Sequence, residues 1–306
     1  MFEIIKKTNI NFIGKRYYAF LISGVFVTLG IIAIIFISLG KANLGIDFAG
    51  GTMIQGSFEK PIRIGEVREV LIRNGYGEAE ITELKRGIPY FFMLRLKSTL
   101  ETGSKIAEEV LSILKKEFPD NPFNKDSVDE VGPAVGKILQ RQARIAVLLA
   151  LVGILLYVWI RFDFRFGVSA TIATFHDVLV VLGIMFLLGK EITLLIVTAL
   201  LTLAGYSLTD TVVVYDRIRE NLKLFRKKGD FAGTINASIN EVLSRTVITT
   251  GSTLLAVLSL YFLAGEVVHD FALTLLLGVL IGTYSSWFVA SPIVVEWEKW
   301  SPKRFK

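Results

Sequence analysis

Two carboxylates, a histidine and an arginine stand in this chain where apolar surroundings make them expensive. The run Leu194–Asp216, LLIVTALLTLAGYSLTDTVVVYD, has the length and character of a membrane helix and carries Asp210 inside it. A lone ionised Asp at the centre of such a helix costs about 2.5–3.5 kcal/mol on insertion scales, so it implies a partner, a water-lined path or a function. On a helix Thr202, Tyr206 and Asp210 share one side, and Ser207 and Thr211 widen that polar stripe. The competing reading is that Asp210 simply reaches water near a helix end. A helix starting near Ile192 puts it about 27 Å along the axis, past the midplane of a core about 30 Å thick. Against that, Val212, Val213, Val214 and Tyr215 continue the apolar run beyond it.

The second anomaly is the pair His176 and Asp177 in ATIATFHDVLVVLG. Counted from Gly167, Asp177 lies about 15 Å into its span, near the midplane. It reads either as a structural Asp hydrogen-bonded between helices or as a proton-transfer group. The third is Arg245, at the start of SRTVITTGSTLLAV, where Arg245, Thr249, Ser252 and Ala256 form a stripe at helical spacing. Asp210 and Arg245 approach the membrane from the same side, so they are expected to pair. Because an arginine stays protonated, making and breaking that pair would let the carboxylate alternate between charged and neutral. The plainer reading of Arg245 is one more positive residue flanking a span.

The elements that must hold these groups follow from composition. Of 306 residues 52% are hydrophobic and the mean hydropathy is +0.56, which marks an integral membrane protein. With no cysteine there is no disulfide, thiolate or cysteine-metal chemistry, and two histidines make a histidine-rich metal site improbable. No P-loop or glycine-rich phosphate cradle is present, so no cofactor is expected, no enzyme activity is read, and an ion gradient remains as the energy source. Apolar runs at Tyr17–Leu39, Ile145–Ile160, Gly167–Leu188, Ile192–Tyr215, Val247–Leu263 and Phe271–Val295 predict about six transmembrane helices, the first uncleaved. The net charge of +6 sits beside the spans, in Lys6, Lys7, Lys15, Arg16, Arg161, Arg165, the run Arg217–Lys228, and Lys299–Lys306. That distribution places both termini in the cytoplasm of a cell with the chain in its cytoplasmic (inner) membrane, and gives no sign of nucleic acid. The predicted division is a cytoplasmic segment 1–16, a first helix 17–39, an outward domain 40–142, helices two to six over 143–297 with a basic loop at 216–246, and a tail 298–306.

The outward segment reads as strand, helix, strand, strand, helix, strand, the ferredoxin-like α+β order. GGTMIQGSFE, AEITELKRG and PYFFMLRLKS are the first three strands, IRIGEVREVLIRNG is the first helix, and Ser98 or Thr102 opens the second. A last extended piece, SVDEVGPAVG, returns to the membrane, and the loop Phe118–Asp126 carries only turn chemistry. Asp230–Ser244 predicts a short separate amphipathic helix on the inner surface. Ala146 with Ala150, and Gly278 with Gly282, are small pairs expected to bring helices close.

Several stretches together resemble one family. GIDFAGGT at Gly45–Thr52, VGPAVG at Val131–Gly136, FHD in the third span, YSLTDTVVVYDRIREN at Tyr206–Asn221 and LSRT at Leu243–Thr246 occur in order along nearly the whole chain. They resemble the SecF family of Sec protein translocase subunits, in the resistance-nodulation-division superfamily. The resemblance implies a SecD partner, contact with the SecYEG channel and with YajC or YidC, a translocating unfolded polypeptide as cargo, and use of the proton-motive force in late steps of export. Carried onto this chain, it places the membrane acid at Asp210 and its basic partner at Arg245. Gly50 and Gly51 are then expected at one hinge of the outward domain and Gly132, Pro133 and Gly136 at the other. The rival expectations are half of an exporter of lipids or small hydrophobic molecules from the same superfamily, or a translocon scaffold without ion coupling.

Overall fold

The computed structural model describes residues 8–84, 89–96, 103–224 and 230–302. The expected helix starts Ser98 and Thr102, the basic residues Lys6, Lys7, Arg226, Lys227, Lys228, Lys303, Arg304 and Lys306, and residues 85–88 lie outside that set. The chain forms two compact units, one of Leu44–Ile145 with Ile192–Leu194, the other of Met1–Asn43, Ala146–Glu191 and Leu195–Lys306.

In the first unit a single turn α2 (Ile46–Ala49) leads to β1 (Gly51–Phe58), α3 (Ile64–Arg73), β2 (Glu80–Leu84), β3 (Phe91–Leu96), α4 (Gly103–Glu117) and β4 (Phe123–Val131). The four strands form one antiparallel sheet in the order β2-β3-β1-β4, the ferredoxin-like arrangement. Its register follows from alternation. Ile54 on β1 lies opposite Leu94 on β3, and with Phe58, Ile81, Phe92 and Leu96 it faces Val67, Leu71, Ile106, Val110 and Leu114 of the two helices. A bulge between Gln55 and Gly56 shifts the β4 pairing by one. The loop Phe118–Asp126 holds more than turn chemistry. β4 already begins at Phe123, whose ring packs edge-on against Phe58 at 5.1 Å, and the Asn121 side chain both accepts from Lys60 N and donates to Lys60 O.

Gly50, Gly51 and Gly136 are closely surrounded, whereas a Cβ on Gly132 would meet nothing within 4 Å. Gly50 and Gly51 have φ of 75° and 139°, and a Cβ on Gly51 would sit 2.7 Å from the Leu96 carbonyl. A Cβ on Gly136 would meet Phe48 O at 2.9 Å, and Gln140 Nε2 donates to that same carbonyl at 2.7 Å. All five expected hinge positions therefore lie inside the first unit, whose boundaries with the rest of the chain fall at Asn43/Leu44 and Ile145/Ala146. The unit also includes the first turn of the fourth span. Gly45 N donates to Ile192 O at 3.0 Å, and Asp47 Oδ2 accepts from Leu194 N at 2.9 Å, satisfying one of the free N–H groups at that helix start.

Six helices among the described residues are long and apolar enough to cross a membrane. They are α1 (Arg16–Ser38), α5 (Pro133–Arg161), α6 (Phe164–Leu187), α7 (Leu194–Leu224), α8 (Phe231–Leu263), and α9 (Glu266–Ser285) continued through a π turn at Ser286–Ala290 into α10 (Ser291–Trp300). Three expectations need correction. α5 starts at Pro133, twelve residues before its apolar run, because proline with its fixed φ suits the first helical position. Asp230–Ser244 is not a separate helix. Asp230 caps α8 by accepting from Gly233 N at 2.8 Å, and nothing between Ser244 and Val247 breaks the helix, so one element of 33 residues results. α7 likewise runs on to Leu224, so most of the expected loop 216–246 is helical.

Packing in the second unit centres on α6. Gly30 of α1 and Gly183 of α6 meet so closely that a Cβ on Gly30 would lie 2.2 Å from Leu179 O. Gly278 and Gly282 of α9 press on Leu203 and Ser207 of α7, as their spacing predicts, whereas Ala146 is exposed and Ala150 only half-buried. The basic clusters converge at one end. Arg16 pairs with Glu296 at 2.5 Å, Arg161 with Asp216 at 2.9 Å, Arg165 with Glu298, and Arg217 with Glu241 at 2.6 Å. At that same end two asparagines one turn apart on α8 clamp the chain ahead of α1. Asn236 Oδ1 accepts from Phe12 N and Ile13 N, Asn240 Oδ1 accepts from Ile10 N, and both side-chain amides donate to Ile10 O.

Candidate functional site

Asp177 lies in the middle of α6 and is fully buried. Its Oδ1 is 2.8 Å from His176 Nδ1, and its Oδ2 accepts from Ser285 Oγ at 2.7 Å and from Ser207 Oγ. Three elements thus converge on one carboxylate, which suits a group that apolar surroundings would otherwise exclude. The His176 ring stacks loosely beside Tyr284 at 6.4 Å, and its Nε2 is buried with no hydrogen-bond partner among the described residues.

Asp210 sits sixteen residues into α7, one turn beyond Ser207, so the helix itself brings the two carboxylates to neighbouring levels. It is 9% exposed. Ser286 Oγ approaches its Oδ2 at 3.4 Å, a loose contact for O–H···O. Asp210 also borders a cavity of about 150 Å³ lined with Tyr206, Thr209, Val213, Arg245, Thr246 and Thr249. Its wall is mostly apolar, with the hydroxyls of Tyr206, Thr209, Thr246 and Thr249 and the Arg245 guanidinium as its polar groups, and its volume is enough for several waters. Tyr206 OH donates to Thr253 Oγ1 at 3.3 Å, and Thr246 Oγ1 has no protein partner among the described residues.

The structure therefore gathers Asp210, Arg245, Asp177 and His176 into one region of the second unit, but not in the expected pairing. Asp210 and Arg245 share the cavity wall without an ion pair, none within 4.0 Å occurring among the described residues. The cause is rotational phase. Arg245 and the stripe Thr249, Ser252 and Ala256 face the exposed side of α8, while Thr246 and Thr250 face inward. Ser207 and Thr211 likewise point into the bundle rather than widening the Tyr206 face, with Ser207 committed to Asp177.

Sequence reasoning missed the third wall, GTYSSWF on α9. Thr283 bonds Thr250 of α8 at 2.9 Å, Tyr284 reaches Ser23 and Ala19 O of α1, and Ser285 and Ser286 each hold one carboxylate. Four consecutive hydroxyl residues, Thr283–Ser286, in an apolar span were the available signal. Among the described residues no group of three or more His, Asp and Glu side chains is placed to hold a metal ion.

The arrangement is two mid-span carboxylates, one locked by hydrogen bonds and one facing a cavity with hydroxyls and an arginine on its wall. Carboxylates so placed are chemically able to bind and release a proton.

Comparison with known proteins agrees with this architecture. Residues 110–300 match the family described as protein export membrane protein SecD/SecF, C-terminal, and residues 41–62 match the SecD/SecF GG motif. Protein translocase subunit SecF of Thermodesulfovibrio yellowstonii is 49% identical over 296 residues, covering 96% of this chain and 97% of that protein. The SecF subunit of Calditerrivibrio nitroreducens is 42% identical over 295 residues, 95% of each chain. The crystal structure of SecDF from Thermus thermophilus, a translocon-associated membrane protein, superposes with a TM-score of 0.81 at 38% identity over 95% of this chain, which spans 39% of that longer one. With the family match covering more than half its length and its relatives aligned nearly end to end, the chain belongs to the SecD/SecF family as a SecF-type protein translocase subunit.

Proposed function

We propose that this chain, with a SecD partner, uses the proton-motive force to assist late steps of polypeptide export through a SecYEG-type channel, with both termini on the cytoplasmic side of the inner membrane. The observation that carries the reading is the asymmetry between the two carboxylates. Asp177 is enclosed and fully hydrogen-bonded, whereas Asp210 touches a cavity whose wall carries Arg245, which has no ion-pair partner among the described residues. Asp210 is the group that takes up and releases a proton. Arg245 stabilises its charged form from the cavity wall, and Asp177 with His176 holds α6 and α7 in register. One charge crossing 100 mV releases about 2.3 kcal/mol, enough to bias a two-state rearrangement by more than tenfold. No covalent step and no cofactor enter. Contacts with YajC or YidC would be made by the same assembly.

The test is proton flux and polypeptide secretion in vesicles holding this chain with its SecD partner. Asp210→Asn and Arg245→Met are expected to abolish both while assembly persists. Full activity of Asp210→Asn would refute the reading.

A further inference from the structure

Ser285 and Ser286 are consecutive residues whose hydroxyls serve different helices. Ser285 Oγ holds Asp177 of α6 at 2.7 Å, and Ser286 Oγ approaches Asp210 of α7 at 3.4 Å. Side chains of adjacent helical residues diverge by about 100°, so this one step of α9 bridges two neighbouring helices. The α-helix stops at the same point. Residues Ser286–Ala290 form a π turn, closed by Ser291 Oγ donating to Ser286 O at 2.8 Å. Such turns keep one extra residue in the helix and recur at functional sites. Each hydroxyl also has a carbonyl acceptor within α9, Gly282 O at 3.1 Å from Ser285 and Thr283 O at 2.9 Å from Ser286, so its single O–H has an alternative to the carboxylate.

We propose that Ser285 and Ser286 are positioning residues for proton exchange at Asp210, linking its occupancy to the hydrogen-bonded state of Asp177. This rests on the proton-exchange reading of Asp210. When Asp210 is charged it accepts only, and Ser286 turns its O–H toward it. When a proton arrives from the cavity the carboxyl gains a donor, Ser286 falls back on Thr283 O, and the hydrogen bonding around the π turn rearranges. Through the shared backbone the change reaches Ser285 and its bond to Asp177. No bond other than O–H is made or broken. Among the described residues, the charged and titratable groups facing this region are Asp177 and His176 from α6, Arg245 from α8, Tyr284 from α9 and Tyr206 on the helix of Asp210 itself.

Labelling by a hydrophobic carbodiimide, which attacks protonated carboxyl groups in apolar surroundings, tests this in the full chain reconstituted with its SecD partner. The modified peptide is read by mass spectrometry as a function of pH. Removing a donor from the charged form with Ser286→Ala is expected to raise the half-labelling pH of Asp210 by about half a unit to one unit. Ser286→Thr restores the native profile. Ser285→Ala shifts the Asp210 profile as well, although that side chain bonds Asp177 and not Asp210, and Ser285→Thr restores it. Where Ser285→Ala fails to fold, Ser285→Cys, which keeps a weak donor, takes its place. A native profile that titrates but is unmoved by every serine variant overturns the positioning role alone. A native Asp210 unlabelled at any pH overturns the proton-exchange reading and the positioning role with it.

Discussion

Replacing Gly30 by alanine is the sharpest test of how the helices are held. The added Cβ would lie 2.2 Å from Leu179 O and 2.7 Å from Leu179 C, and both are backbone atoms that no rotamer change can move aside. Restoring ordinary contact at 3.4 Å requires α1 to retreat from α6 by about 1.2 Å. A gap of 0.5–1 Å already forfeits roughly a quarter to a half of each dispersion contact along the seam, and overpacking of this kind costs about 1–3 kcal/mol. Gly183→Ala meets the same seam from the other side, 2.7 Å from Gly30 N, and is expected to cost a similar amount. Gly24→Ala supplies the control. It lies on α1 with nothing within 4 Å of the new Cβ, and helix propensity alone favours it by up to about 1 kcal/mol. Thermal unfolding in detergent should therefore fall for Gly30→Ala and Gly183→Ala and hold or rise for Gly24→Ala. Because the chain lacks cysteine, a single pair introduced across α1 and α6 would report their separation without background. If the three alanine variants unfold alike and crosslink alike, the close approach of α1 and α6 is not what stabilises the bundle.

Asp47→Ala removes the acceptor at the start of α7 and is expected to cost about 1 kcal/mol, seen as faster amide exchange at Leu194 and its neighbours. Asn236→Ala combined with Asn240→Ala unpairs the main chain of Ile10, Phe12 and Ile13, at about 1 kcal/mol for each net hydrogen bond lost, and should expose that segment to protease while leaving α8 intact. In the α+β unit, burial and the neighbouring Glu109 raise Tyr76 above the ordinary tyrosine range. The folded form then keeps its proton where the unfolded chain has lost it, so stability holds below about pH 10 and falls above it. Tyr76→Phe should flatten that alkaline loss in an unfolding series across pH 9–12.

How far the sequence could be read depended on what each residue costs in an apolar span. Asp210, Asp177, His176 and Arg245 stood out because each is expensive there, and the ferredoxin-like order followed from period-two and period-3.6 alternation around Ile54, Val67, Phe92 and Val110. Ser285 and Ser286 passed unnoticed because a hydroxyl can bond the preceding helical turn and so costs little in a span. The pairing of Asp210 with Arg245 went wrong for another reason. Spacing fixes which residues share a helix face but not how that face is turned toward a neighbour, and α8 turns Thr246 and Thr250 inward instead. The fusion of Asp230–Ser244 with the fifth span is legible in the sequence, since no glycine or proline interrupts Leu243–Ile248.

The asparagine clamp carries a lesson about drift. Apart from the Thr8 hydroxyl, Asn236 and Asn240 read only main-chain N–H and C=O groups of the segment before α1, so the side chains of Ile10 and Asn11 are unconstrained by it. Phe12 is different, because its ring also packs on Trp287 and Phe288. The two asparagines themselves have no chemical synonym. Aspartate lacks the donor, leucine lacks both functions, and glutamine adds a methylene that moves the amide out of register. Among related chains, substitutions should therefore accumulate freely on the clamped strand and scarcely at all on the residues that clamp it.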